Sequence, residues 1–362
     1  MNIVSIIMLV FALLGALDRI IGNKFGLGKE FEKGFSLLGP IVLSMLGMLI
    51  LAPVLAELLS PVFDFAYNVF KIEPSIIPAM LFANDMGGAP LAKEIAKDSS
   101  LGMYNAMVVS SMMGATISFT IPFALGCIKK EKHKELILGL LCGVVTIPVG
   151  CLVSGFICGI SVVSLILNLL PLIIFAAIIA VGLLFFPSAC IKIFGVIGTA
   201  IKILITIGLA LGIIELLLGV RLVEGTADVT EGVMICFNAV VVMSGAFPLL
   251  AILSKLLAKP MGKLGSLLGI NEKSTIGFIS TLATNMPTFG IMHEMDKKGT
   301  VLNSAFAVSA AFVLAGHLAF TLAFEPSYLL SVMVGKIVAG LTAIAFALLV
   351  YKKVGAKITS EA

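Results

Sequence analysis

Leu81-Phe82-Ala83-Asn84-Asp85-Met86-Gly87-Gly88-Ala89-Pro90 decides how this chain is read. A short apolar helix reaches small residues and a carboxylate, breaks, and resumes as a more polar helix. Leu282-Ala283-Thr284-Asn285-Met286-Pro287-Thr288-Phe289-Gly290 repeats the design. Asp85-Met86 and Glu94 fall opposite Asn285-Met286 and Glu294, about 200 residues on. Working outward, Leu14-Gly15 through Gly22 faces Leu211-Gly212 through Gly219, and Pro53 in Ala52-Pro53-Val54 faces Pro248 in Phe247-Pro248-Leu249. Asn105 with Ser110 faces Ser304 with Ser309. The shared order and steady offset imply a duplicated unit, and internal repeats on this scale mark secondary transporters.

The surroundings of these breaks are apolar. Hydrophobic residues make up 60% of the 362 and charged residues 12%, where a soluble chain carries about 25% charged. Several stretches exceed the roughly 20 residues needed to span a bilayer. A net charge of +4 with basic residues beside apolar spans gives topology signals, not a nucleic-acid surface. The six cysteines fall in or beside spans without a CxxC pair, so neither a disulfide framework nor a metal site is indicated. Met1-Asn2-Ile3 has no basic n-region, which suggests a retained first span. Walker A, HExxH and nucleophile-elbow patterns are missing, so the expectation is no enzyme, no catalytic residues and no cofactor.

The expected fold is an all-α polytopic membrane protein. Spans are expected at 3–22, 34–59, 100–127, 134–160, 162–186, 191–219, 230–257, 300–324 and 328–351, with the broken segments at 74–98 and 273–297. If both broken segments are re-entrant hairpins, about 18 of the 24 Lys and Arg fall on one face, which makes that face cytoplasmic. A crossing second segment would put the Lys352-Lys353 tail outside; a broken crossing helix stays open as the alternative. The re-entrant choice gives two inverted repeats of about four crossings and one hairpin each. These cover 1–160 and 190–353, joined by a linking transmembrane helix at 161–189 and followed by a cytoplasmic tail at 354–362. The N-terminus is then outside, and both hairpin tips reach the midplane, because irregular backbone at membrane depth must lie inside protein or along a wet cavity.

Asp85 is the first candidate for binding, since a carboxylate at membrane depth is costly unless it works or is paired. The bland alternative is a salt bridge or a helix cap. Asn84 stands beside it, and Gly87 and Gly88 free backbone carbonyls. The second tip offers Thr284, Asn285 and Thr288 without charge, so a site with one acid and neutral donors suits a small hydroxylated monocation better than a divalent metal. Phe82 or Phe289 could add a cation–π contact. Lys202, Lys336, His317 and Glu215 are weaker candidates for counter-charge or gating, set against snorkelling, packing and capping roles.

The residues from Gly15-Ala16-Leu17-Asp18-Arg19-Ile20-Ile21-Gly22 to Gly28, the Leu81–Gly88 run, Ser111-Met112-Met113-Gly114 and Thr146-Ile147-Pro148-Val149-Gly150-Cys151 resemble the ethanolamine-utilisation permease family. The resemblance is clearest in the first half and extends in length and span order over nearly the whole chain. It implies ethanolamine import across the bacterial cytoplasmic membrane, with Asp85 neutralising the ammonium. Membrane lipid is the expected surrounding, and a homo-oligomer stays open. A proton- or sodium-coupled carrier of another small solute (nucleoside or amino-acid type) and a facilitative channel are the rival readings.

Overall fold

The computed structural model describes residues 3–360, all helices and connecting loops without a strand among them. The helices are α1 (Ile3–Ile20), α2 (Leu27–Ser36), α3 (Leu38–Phe70), α4 (Ile76–Leu81), α5 (Gly88–Ile95), α6 (Ser99–Cys127), α7 (His133–Ile157), α8 (Val162–Phe185) and α9 (Pro187–Leu218). They continue as α10 (Val229–Leu268), α11 (Glu272–Ala283), α12 (Asn285–Gly290), α13 (Lys297–Ala310), α14 (Gly316–Phe324) and α15 (Leu329–Ser360). Among the described residues, eight helices are long and apolar enough to cross a membrane. α8 and α9 carry rows of exposed Ile, Leu, Val and Phe, as a lipid-facing surface requires. The buried core gathers instead around α6, where Met107, Met112, Met113, Ile117 and Ile121 are fully enclosed.

Both broken segments fold back on themselves. At the base of the first, Glu73 accepts from the Lys97 and Asp98 amides at 2.9 and 3.1 Å. At the base of the second, Asn271 N donates to Asp296 at 2.9 Å and the Asn271 amide to the Glu294 carbonyl at 2.8 Å. Asp98 and Asp296 then cap α6 and α13 by accepting from Leu101 N and Gly299 N. Halfway up the second hairpin, Thr288 donates to the Gly277 carbonyl at 2.9 Å; on a continuous helix these residues would stand about 16 Å apart. The turn of the first hairpin passes through Gly87 at φ +102, in the left-handed region where only glycine is unstrained. Met48 packs against it so closely that a Cβ would lie 2.1 Å from the Met48 side chain.

Three expectations change. The span at 300–324 is not one helix: α13 stops at Ala310 and α14 starts at Gly316, with Phe312 at φ +66 between them. This break is held from outside, because Phe312 N and Leu314 N donate to the Thr281 and Leu282 carbonyls at 3.2 and 2.8 Å. Those carbonyls are free because α11 ends there. α6 is continuous but wide-turned, π-helical over Asn105–Gly114 and Thr116–Thr120, a geometry that recurs at functional sites. Finally, Asn105 shares its role with Asn303, not Ser304: each donates to the base of its own hairpin, to Ser75 Oγ at 2.9 Å and to the Ser274 carbonyl at 2.8 Å. α15 runs on into the expected tail, whose last two residues lie outside the described ones, as do Met1 and Asn2.

Candidate functional site

The three breaks surround the inner end of a cavity of about 940 Å³. It follows α10 from Gly265 and Ser266 to Met243, about 33 Å at 1.5 Å per residue. Glu30, Lys33 and Glu272 also line it, Lys33 with its Nζ 4.7 Å from the Phe247 ring. At the other end, Asp85 and Met243 come together against Gly316, where a Cβ would sit 3.9 Å from both side chains. Asp85 is therefore the charged group at the helix breaks, with 29% of its side chain exposed. Thr284 joins the wall from the second tip, and Phe247 and Phe312 supply aromatic surface.

Around Asp85 the polar groups are buried. His317, 2% exposed, brings Nε2 to 4.0 Å from the Asp85 carboxylate; its ring lies tilted on Phe312 at 5.0 Å and its Nδ1 has no hydrogen-bond partner among the described residues. Lys336, 1% exposed, donates to the Ser111 carbonyl at 2.6 Å.

The other candidates divide by environment. Asn84 is fully enclosed, with both amide atoms unpartnered among the described residues. Asn285, which does not line the cavity, donates to Thr120 at 3.0 Å, and its Oδ1 has no partner among the described residues. Thr288 holds Gly277 and Thr281 within the second hairpin. Gly87 and Gly88 form the buried turn, and a Cβ on Gly88 would lie 2.2 Å from the Phe82 carbonyl. Phe82 packs against the cluster of Met48, Ile201 and Ile205, and Phe289 packs on Phe123 at 6.1 Å. Neither lines the cavity, so the aromatic surface near Asp85 comes from Phe312 and Phe247. Lys202 is exposed on the outside of α9, and Glu215 pairs with Arg221 at 2.6 Å; neither approaches Asp85. Sequence reasoning missed Phe312 and undervalued His317, and the break that carries both has no local signal before Gly316.

α5 and α14 lead away from the far side of Asp85, and five residues along α5 and eight along α14 Lys93 lies 5.5 Å from the Phe324 ring. Along α14 the barrier from Gly316 to Phe324 is about 12 Å. Behind it lies a shallow depression lined by Pro90, Lys93, Glu94, Asp228, Glu231 and Phe324.

Residues 1–350 match the family described as "Ethanolamine utilisation protein, EutH". The chain belongs to this family. It is 45% identical to a probable ethanolamine permease EutH of Listeria monocytogenes, over 95% of the chain and 92% of that relative. The same description attaches to relatives from Salmonella typhimurium, at 38% identity over all of the chain and 98% of the relative, and from Escherichia coli, at 37% over 99% and 97%. No solved structure matches the chain. With its apolar helices and bacterial relatives, this EutH family member is a multi-pass bacterial membrane protein.

Proposed function

We propose that the protein is a permease that takes up protonated ethanolamine across the cytoplasmic membrane by alternating access. The observation that carries this reading is the Asp85 carboxylate, partly exposed to the cavity where the three helix breaks meet. The relatives' names supply the substrate, a small ammonium with one hydroxyl. The cavity, near the upper end for drug-sized ligands, is far larger than ethanolamine. Selectivity therefore resides at its end: Asp85 takes the ammonium, Thr284 the hydroxyl, and Phe312 flanks the cation. Asn84, Asn285, Thr288, Gly87 and Gly88 build the two tips and act by positioning.

Lys29 and Lys33 on α2, and Lys255, Lys259 and Lys263 on the part of α10 beyond Met243, lie on the cavity's side of the helix breaks. The positive-inside rule makes that side cytoplasmic, so the cavity faces inward, with the N-terminus outside and the C-terminus inside. The matched hairpin bases, Glu73 with Asp98 and Asn271 with Asp296, support two inverted repeats. In the cycle, the α5–α14 pair separates to admit substrate from the Asp228 side while the cavity closes along α10.

Uptake of labelled ethanolamine into proteoliposomes tests the function. Saturable uptake absent from protein-free vesicles is expected; a flux equal to theirs would rule it out.

A further inference from the structure

The cavity already holds a primary ammonium of its own. Lys33 lines it together with Glu30 and Phe247. The Lys33 Nζ lies over the Phe247 ring, 4.7 Å from the centroid, with Glu30 Oε2 at 3.4 Å. A carboxylate and an aromatic face together are a favourable setting for an alkylammonium ion. Lys33 ends in the same ammonium group as protonated ethanolamine, so its surroundings show where the cavity can hold that group.

The acid and the ring stand on fixed elements, and the lysine is the loose member. Asp18 closes the start of α2 by accepting from the Phe25 and Gly28 amides, both at 2.9 Å. Further along, Gly34 lies so near α10 that a Cβ would stand 2.5 Å from the Ser244 Cα. Phe247 is 8% exposed and packs in a cluster with Met243 and Leu250. Lys33 instead has 56% of its side chain exposed, and an exposed ion pair is weak, so its long stem can swing aside. The position is also apt. Phe247 is one turn from Met243, about 6 Å along α10, and Met243 is the residue that meets Asp85 at Gly316.

We propose that Glu30 and Phe247 form a second subsite for small primary ammonium ions, which Lys33 fills in the absence of substrate and yields as substrate moves between Asp85 and the open cavity. The proposal rests on the reading of the cavity as the path of a small ammonium, and adds a station to that path. At the subsite one ammonium replaces another, and the displaced Lys33 turns into the cavity. As a tethered competitor, Lys33 keeps the apparent affinity of the subsite low, so substrate passes through it without being retained. Acid and ring recognise the ammonium and not the hydroxyl.

The test is binding to the purified full-length protein in detergent at low ionic strength, followed by ligand-observed NMR titration. Asp85→Asn is the background, so that the first site does not mask the second. The probes are ethanolamine and ethylamine hydrochlorides, with ethylene glycol as the uncharged control. Adding Lys33→Met should tighten binding of both amines at least about fivefold and leave ethylene glycol unchanged. A further Phe247→Leu, which alters no charge, should remove the gain. Glu30→Gln should remove it too, whereas Glu272→Gln, the same charge change elsewhere on the cavity wall, should keep it. If the Phe247 variant fails to fold, the contrast between the two glutamates decides. No gain from Lys33→Met, or a gain that survives Phe247→Leu or Glu30→Gln, overturns the proposal while the permease reading stands. Absence of ethanolamine binding by the wild-type protein overturns that reading, and this proposal with it.

Discussion

The Asp85 carboxylate lies 4.0 Å from Nε2 of His317, and each residue stands at a helix break that a distant part of the chain holds open. That distance exceeds a hydrogen bond, so His317 shapes the place of the carboxylate by packing on Phe312 and by proximity. His317→Gln should therefore raise KM for ethanolamine about three- to tenfold, the effect of a displaced contact near 1 kcal/mol. Transport kinetics in proteoliposomes measure it, and complete loss of uptake by a folded variant would show a direct role in the transport step.

Gly87 and Gly290 predict opposite responses to the same substitution. Gly87→Ala meets Met48 and a φ of +102, so it should cost at least about 1–3 kcal/mol and lower the melting temperature. Gly290 sits in α12 with nothing within 4 Å of a Cβ, so Gly290→Ala should leave stability unchanged or slightly improved. Thermal unfolding in detergent separates them.

The base of the second hairpin should respond to acid. The hydrogen bond from Lys273 and, next, its charge hold the Glu294 carboxyl below its ordinary range. The sign follows: this pairing stabilises the base above the ordinary glutamate pKa and is lost as pH falls through the lowered folded value. Hydrogen exchange around 271–296 should accelerate below about pH 4, and Lys273→Met should remove that step.

The α5–α14 barrier can be locked. In a background without native cysteines, Lys93→Cys with Phe324→Cys should stop ethanolamine uptake when oxidised and recover it on reduction. Unchanged uptake with the cross-link formed would mean that the outer path runs elsewhere.

The sequence made the two hairpin breaks visible because their chemistry is local: Gly87-Gly88 in one and Pro287 beside threonines in the other. Charge bias favoured hairpins over crossings, and Glu73 and Asp296 supply the closing bonds. The break at Ala311–Ala315 was illegible because its determinants are the carbonyls of Thr281 and Leu282, about thirty residues away. Side-chain direction was equally hidden. Asn84 and Asp85 are neighbours, yet one is enclosed and the other faces the cavity. Lys202 and Lys336 both fall mid-span, and helix packing alone puts one on the outside and buries the other against the Ser111 carbonyl.

The central claim is that the Asp85 carboxylate binds the substrate's ammonium. The direct measurement is ethanolamine binding by Asp85→Asn, a near-isostere without charge, with folding checked by its melting curve. Losing one partner of a desolvated charge pair costs about 2–5 kcal/mol, so the variant should bind at least about 30-fold more weakly than wild type. Wild-type affinity in a folded Asp85→Asn protein would contradict the account.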